Sequence, residues 1–335
     1  MANQSPSATA YLLSAPTVLA TISRYLVHGS PHPALSLRDL IQAALFKHFA
    51  GQSLLPPNPQ SSWSARMSTT FSPSVTCRPE VLAPFDDDDE EEDGEGRVYY
   101  GPELTHPSVP ITSVPAFWLT PKARVTAGVV ILYFRRRGVL TIDYRLGHTA
   151  PFPAAVQDCV TAYWTLRHVH GYAASQVVLV GESAGAGLCL ATLLHLRDRH
   201  ETPRSAVLLS PLVQTRDTTA PSFASFEAVD FISAGGLRDV VREYVALVPD
   251  SRFIQLFDNS FVGLPPLFVS YGDAEVLADD DRALCVRARA DGVDVVEDVG
   301  VGRVHVWIAL PHHQQQARPV WQRIKRFIDG PAARL

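Results

Sequence analysis

The sequence has few of the residues typical of disulfide-rich, metal-binding or membrane-spanning proteins. Only four cysteines occur in 335 residues, scattered at Cys77, Cys159, Cys189 and Cys285. Their spacing matches neither a disulfide framework nor a metal site, which predicts reduced thiols, no bound metal and a cytoplasmic location. The apolar stretch 11–27 is interrupted by proline, serine and arginine. It is therefore typical of neither a signal peptide nor a membrane span.

Basic residues are also too few and too dispersed for a nucleic-acid-binding protein. The formal net charge is -5, and the densest basic cluster is Arg135–Arg137, so we expect no nucleic-acid partner. The opposite charge is concentrated in Asp86–Asp93, a run of eight acidic residues. Mutual repulsion should keep this run an open loop, and a metal site there is the less favoured alternative.

The composition of the chain changes near residue 125. Residues 1–125 are rich in proline and serine, and amphipathic patterns predict helices at 22–27 and 37–50. From residue 126 to 335, apolar runs typical of buried strands alternate with helical patterns. This alternation predicts an α/β domain with a mostly parallel sheet flanked by helices.

The segment 176–188 carries the clearest chemical signature. A short β-branched run leads into Gly181, Glu182, Ser183 and Gly185, and a helical stretch follows. A Gly-x-Ser-x-Gly turn between a strand and a helix lifts a serine hydroxyl above the sheet and directs the helix N-terminus toward it. We therefore predict Ser183 as a nucleophile. The alternative is a structural turn whose serine caps the helix.

A nucleophilic serine needs a base, and the base needs a carboxylate that orients it. Such groups cluster at the carboxyl ends of parallel strands. Asp273 follows the predicted strand Leu267–Tyr271, and His305 follows the predicted strand Val293–Val299. We therefore predict Asp273 as the orienting acid and His305 as the base. Competing groups are interpreted as surface, capping or helix first-turn residues: His168, His170, His195, His312, His313, Asp279, Asp280 and Asp281.

Several short segments resemble, in order, the hormone-sensitive-lipase-like branch of the α/β-hydrolases. They are Asp143–Leu146, Pro151–Ala154, Gly181–Gly185, Ser210–Pro211, Leu264–Pro266, Gly272–Leu277 and Val304–Val306. The resemblance covers roughly residues 125–330. It implies the same roles for Ser183, Asp273 and His305, the backbone N–H of Ala184 as an oxyanion donor, and ester hydrolysis without a cofactor. It also implies a catalytic domain at residues 126–335 with an apolar acyl pocket. Residues 1–125, with part of 217–242, would form a helical cap over that pocket.

The sequence departs from that family after the predicted strand Val129–Phe134. The family has a His-Gly-Gly-rich segment there, whose backbone N–H groups supply most of the oxyanion hole, and a helix then leads to the next strand. Here Arg135–Gly138 leads directly to the next predicted strand, Val139–Tyr144. A parallel crossover takes about a dozen residues, so an antiparallel hairpin, a strand outside the sheet and a malformed region all remain open. Each missing oxyanion donor typically costs about 10²–10³ in rate.

The sequence thus predicts a serine carboxylic-ester hydrolase, an esterase or deacetylase acting on small or medium acyl esters of an apolar alcohol. Two alternatives follow from the missing oxyanion segment: a catalytically impaired ligand-binding protein, or a shortened splice or gene-model variant of an active enzyme. We expect a small-molecule ester as the partner. Contact of the 37–50 helix with a membrane surface is less favoured than packing within the protein.

Overall fold

A mixed sheet of eight strands runs through the part of the chain that the computed structural model describes. That part comprises residues 19–21, 23, 32–35, 40–41, 75–85, 98–121, 129–134, 140–215, 219–310 and 313–330. The acidic run Asp86–Asp93, the arginine cluster Arg135–Arg137 and most of the two helices predicted at 22–27 and 37–50 lie outside it.

Antiparallel pairing at one end of the sheet gives way to parallel pairing over the rest. The strands are β1 (Val75–Leu82), β2 (Val114–Pro121), β3 (Val130–Phe134), β4 (Leu140–Ile142), β5 (Val177–Glu182), β6 (Ser205–Leu209), β7 (Leu267–Gly272) and β8 (Val295–Gly300). Their spatial order is β1-β2-β4-β3-β5-β6-β7-β8. Pairs β1–β2 and β2–β4 are antiparallel, and the other neighbours are parallel. The predicted mostly parallel sheet is confirmed.

Helices follow most of the parallel strands. They are α1 (Ala154–Trp164), α2 (Ala184–Arg197), α3 (Pro221–Phe226), α4 (Ala234–Tyr244), α5 (Ala278–Ala290) and α6 (Gln314–Asp329). A π-helical turn, Thr165–Val169, continues α1. Helices α3 and α4 lie in the insertion after β6 that was predicted to contribute to a cap. No helix among the described residues is both long enough and apolar enough to cross a bilayer.

Apolar side chains of the central strands point alternately to the two faces of the sheet. On β5, Val177 and Leu179 belong to the cluster formed with α1, α2 and α5, whereas Val178 and Val180 belong to the cluster formed with α6. All four side chains are buried. A strand covered on both faces therefore consists of a continuous apolar run, as the sequence predicted.

The predicted boundary at residue 125 cuts through this sheet. Strands β1 and β2 precede that boundary, yet β2 pairs with β4 through Ala116–Ile142, Phe117–Thr141 and Trp118–Leu140. The sequence predicted only helices before residue 125, so these two strands were not predicted. The assignment of the remaining N-terminal residues to a cap stays a prediction.

Strands β3 and β4 are parallel neighbours, with Leu132 opposite Leu140 and Tyr133 opposite Thr141. Neither an antiparallel hairpin nor the loss of a strand occurs. Strand β4 begins beside Leu132, which lies two residues before the end of β3. The start of β4 is therefore only about 7 Å behind the end of β3 along the strand direction. This small step allows a connection far shorter than an ordinary crossover. The connecting residues, 135–139, lie outside the described part of the chain.

Candidate active site

Ser183 lies at the turn between β5 and α2 in a backbone conformation that side chains rarely adopt. Its φ and ψ are 54° and −123°. The turn is tight enough that a Cβ at Gly181 would collide with the carbonyl group of Gly185, which explains the glycine requirement. The Ser183 side chain makes no capping bond to the helix. The alternative of a helix-capping serine is therefore wrong.

The Ser183 hydroxyl is paired with an imidazole instead. Its Oγ lies 2.8 Å from Nε2 of His305, which is within hydrogen-bond reach of a general base. Ser183 is half-buried and the adjacent Ala184 is exposed, so a ligand can approach the hydroxyl. The His305 ring is only 2% exposed, and the ring of Phe231 packs against it edge-on at 5.6 Å. The structure thus brings the predicted nucleophile and base together.

The carboxylate beside His305 belongs to Glu275 and not to Asp273. The Nδ1 atom of His305 lies 3.2 Å from Oε1 of Glu275, which is fully buried. The second oxygen, Oε2, accepts hydrogen bonds from the hydroxyl of Ser210 and the N–H of Gly272, both at 2.8 Å. We therefore place the ring proton of neutral His305 on Nδ1, where it faces the Glu275 carboxylate.

Asp273 lies nearby, but its carboxylate contacts other groups. Its Oδ1 accepts a hydrogen bond from the N–H of Gly302 at 2.6 Å, and its Oδ2 lies 3.4 Å from Nε2 of His32. The prediction that Asp273 contacts the imidazole was wrong, because its carboxylate turns toward the loop before His305. Glu275 is flanked by Ala274 and Val276, both fully buried. An acid between two apolar neighbours is the sequence signal by which Glu275 could have been found.

The loops after β7 and β8 are joined by backbone hydrogen bonds. The N–H of Asp273 donates to Gly300 at 3.1 Å, and the N–H of Ala274 donates to Arg303 at 3.0 Å. A Cβ at Gly272 would collide with the carbonyl of Arg303, so glycine is required for this close approach. The two loops therefore present Glu275 and the imidazole at one position.

Three carboxylates act on the pKa of this imidazole. Burial lowers the pKa of His305, but the hydrogen bond and charge of Glu275, with the charges of Asp230 and Glu182, outweigh it and raise the pKa above its usual value. Asp230 is fully buried, and its Oδ2 accepts a hydrogen bond from Val276 N–H at 2.8 Å. Burial raises the pKa of Asp230 to about 6, although the positive charge of His305 opposes that rise.

The N–H of Ala184 is positioned at the start of α2, directly after the nucleophile. Among the described residues, no group accepts a hydrogen bond from it. It is therefore available to an oxyanion, and the positive end of the helix dipole lies in the same place. Residues 135–138, where the family's further donors would lie, are outside the described part of the chain.

Three of the competing groups, His195, His313 and Asp281, are buried, contrary to prediction. His195 is fully buried, its Nε2 lies 2.7 Å from the carbonyl oxygen of Tyr99, and burial lowers its pKa to about 3. Asp281 is fully buried as well, and burial followed by the charge of Glu275 raises its pKa well above the usual range. His195 is thus a neutral core residue, and Asp281 is not a solvated first-turn acid.

The four cysteines are free, and three of them are buried. Within the ranges described, no group of three or more histidine, cysteine, aspartate or glutamate side chains is arranged to hold a metal ion.

The proteins that this chain resembles agree with the geometry of the site. A profile of a family described as having the alpha/beta hydrolase fold matches residues 135–309, more than half of the chain. An acetyl-hydrolase of Streptomyces hygroscopicus is 36% identical over 171 residues, covering 50% of this chain and 57% of that protein. Esterase LipU of Mycobacterium tuberculosis is 32% identical over 179 residues, covering 50% of this chain and 58% of that protein. The chain thus spans little more than half the length of these relatives.

Among solved structures, an esterase from the bacterial hormone-sensitive lipase family superposes with a TM-score of 0.62 and 26% identity. The superposition covers 94% of this chain and 99% of that structure.

Proposed function

We propose that this chain, which belongs to the alpha/beta hydrolase fold family, is a carboxylic-ester hydrolase with Ser183 as its nucleophile. The observation that carries the proposal is one line of hydrogen bonds. The Ser183 hydroxyl contacts Nε2 of His305, and Nδ1 of the same ring contacts the buried Glu275. A hydroxyl, an imidazole and a carboxylate in this order form the arrangement that activates serine for acyl transfer.

The reaction begins when the Ser183 Oγ attacks the acyl carbonyl carbon while its proton passes to Nε2 of His305. The carboxylate of Glu275 stabilises the imidazolium that forms and keeps the ring in the required orientation. The imidazolium then returns the proton to the departing alcohol as the carbon–oxygen bond breaks. Water, deprotonated by the same nitrogen, attacks the acyl carbon of the acyl-serine. As the bond from that carbon to Ser183 Oγ breaks, the imidazolium returns the proton to Oγ, which releases the carboxylic acid and restores the free serine.

Negative charge on the acyl oxygen develops near the N-terminus of α2. The free N–H of Ala184 is the donor that this proposal assigns to it, supported by the helix dipole. The raised pKa of His305 suits a base that must hold the serine proton during acylation.

The substrate class rests on two supports. Ser183 is half-buried and Phe231 packs against His305, so an apolar ring borders the reacting groups. Relatives carry the names acetyl-hydrolase and versiconal hemiacetal acetate esterase. We therefore assign small or medium acyl esters of an apolar alcohol, with acetyl esters as the first class to test.

The test combines a covalent probe with turnover. Wild type and Ser183→Ala are treated with a fluorophosphonate probe, and p-nitrophenyl acetate, butyrate and decanoate are assayed in parallel. We expect labelling and turnover in wild type only, with the short esters preferred. Equal labelling of the two proteins would overturn the assignment of the nucleophile. Preference for decanoate would overturn the assigned acyl class.

A ligand-binding protein without turnover is the second candidate. The sequence Arg135–Gly138 lacks the two adjacent glycines of the related enzymes, and this observation favours it. Such a protein would bind esters reversibly, but the missing oxyanion donors would slow both formation and hydrolysis of the acyl-serine. Binding of an ester that protects the chain against thermal unfolding, with no release of p-nitrophenol that depends on Ser183, distinguishes this case from an enzyme.

A further inference from the structure

Ser210 follows β6 directly and adopts a backbone conformation that is unfavourable for serine. Its φ is 46°, in the left-handed region that favours glycine. The residue is almost completely buried, and its N–H donates to the carbonyl of Ser270 at 2.8 Å. A side chain retained at such a position requires a reason, because glycine would fit the backbone without strain.

The hydroxyl of Ser210 supplies that reason. It donates to Oε2 of Glu275 at 2.8 Å, and its oxygen accepts a hydrogen bond from the N–H of Val306 at 2.9 Å. The first contact fixes the carboxylate on the side opposite His305. The second holds the residue that directly follows the imidazole. One hydroxyl therefore joins the acid and the base segment.

Strain is concentrated at the same place. Val306 has a φ of 50°, which is a strong outlier for a β-branched residue. Of the four non-glycine residues with positive φ in the described part of the chain, Ser183, Ser210 and Val306 all belong to this one cluster. Strained backbone persists only where the surrounding contacts fix it, and it is common where geometry serves a reaction.

We propose that Ser210 is a positioning residue for ester hydrolysis, whose hydroxyl holds Glu275 and the His305 segment in register. This inference rests on the proposed function, since the reaction gives the register its importance. Ser210 does not touch the substrate. Its hydroxyl acts through the orientation of Glu275, because displacement of a catalytic group by about 1 Å costs on the order of 100-fold in rate.

Two substitutions separate positioning from simple stabilisation. Ser210→Ala and Ser210→Gly both remove the hydroxyl and leave the N–H of Val306 without its acceptor. Alanine keeps the backbone strain, whereas glycine relieves it, so we expect a higher Tm for Ser210→Gly than for Ser210→Ala. If the hydroxyl positions Glu275, kcat falls by roughly 10- to 100-fold in both variants, and KM changes little.

Ser205 provides a matched control at the opposite end of the same strand. It is buried, and within the described residues its hydroxyl has no hydrogen-bond partner. Ser205→Ala therefore removes an equivalent atom without breaking a contact, and we expect kcat to stay within twofold of wild type.

A readout that does not depend on turnover is the pKa of His305, followed by NMR of the imidazole carbon in protein with labelled histidine. His305→Asn identifies the signal. Glu275 is the main group that raises this pKa, so we expect both Ser210 variants to lower it. Folded variants with wild-type kcat and an unchanged His305 pKa would overturn the proposal, as would a kcat that follows Tm across the pair. Loss of the proposed function is a separate result: wild type would then show no Ser183-dependent turnover.

Discussion

The Oγ atom of Ser183 and the Nε2 atom of His305 are 2.8 Å apart, although 122 positions separate the two residues in the chain. The contact results from the parallel topology. Strands β5 and β8 end at the same edge of the sheet, and the loop after β8 is fixed to the loop after β7 by the bond from Ala274 N–H to the carbonyl of Arg303. Because the acid lies on that second loop, its identity can be tested by substituting the two carboxylates there.

Glu275→Gln is expected to lower kcat by about 10³–10⁴-fold, because the neutral amide neither stabilises the imidazolium nor holds the right tautomer. Asp273→Asn is the matched control. Its carboxylate binds Gly302 N–H and lies beside His32, so we expect a loss of less than tenfold. Steady-state kinetics with p-nitrophenyl acetate at pH 8 measures both. The reverse order of effects would restore Asp273 as the orienting acid.

The pH dependence of kcat/KM is expected to follow His305. The base must be neutral, so activity rises with pH through the pKa of the free enzyme's imidazole. That pKa lies above the usual 6.5, because Glu275 outweighs the effect of burial. We expect the midpoint of the acidic limb above pH 6.5 in wild type, and a lower midpoint for the residual activity of Glu275→Gln. An acidic limb that does not move in that variant would contradict the assignment.

The sequence alone was sufficient to predict site residues where the backbone geometry allows only a few residue types. The glycines around Ser183 predicted a tight turn between a strand and a helix. The position of His305 after a strand predicted that it lies at the same edge of the sheet as Ser183. The resemblance to the hormone-sensitive-lipase-like branch is confirmed by the family match and by the related structures. Nothing in the spacing alone gave the direction in which Asp273 and Glu275 turn, since both lie within three residues of the end of β7.

The N-terminal strands were missed for a different reason. Strand β1 contains Arg78, Pro79 and Glu80, so it lacks the apolar run that marks a strand buried on both faces. It is an edge strand, paired only with β2 in the described sheet. Edge strands tolerate proline and charge because one side of their backbone has no partner strand. Such strands are hard to recognise from composition.

Asp230 is expected to make the folded protein less stable as the pH rises. Burial raises its pKa from the ordinary aspartate value of 3.8 to about 6, so the folded state favours the protonated form. The resulting stabilisation is complete below pH 3.8 and is lost as the pH rises through 6. Asp230→Asn keeps an oxygen that accepts from Val276 N–H but does not titrate. Relative to wild type, the variant should gain about 1.4 kcal/mol in free energy of unfolding between pH 5 and 7.5.

Urea denaturation at several pH values measures this difference. Asp239→Asn is the control, because it removes a carboxylate that is 68% exposed and so changes no buried group. A flat difference for Asp230→Asn would show that this carboxyl is ionised throughout the range.

Arg145 and Asp158 form an ion pair that we expect to stabilise the region beside β4. Asp158 is 2% exposed, and the guanidinium donates to its Oδ1 from Nε at 3.0 Å and from Nη2 at 2.7 Å, and to its Oδ2 from Nε at 3.1 Å. Burial raises the pKa of Asp158, and the hydrogen bonds and charge of Arg145 oppose this rise. Arg145→Ala leaves a buried carboxylate without its cation, so we expect a loss of about 3–5 kcal/mol in free energy of unfolding.

An exposed pair provides the comparison for this effect. Arg242 and Asp239 are 75% and 68% exposed, so Arg242→Ala should cost less than about 1 kcal/mol. The double variant Arg145→Ala/Asp158→Asn removes the uncompensated charge and should recover part of the loss, which a double-mutant cycle quantifies. Since neither residue contacts Ser183 or His305, kcat of the folded Arg145→Ala protein should remain near wild type. Equal urea midpoints for Arg145→Ala and Arg242→Ala would mean that water reaches Asp158 and replaces its partner.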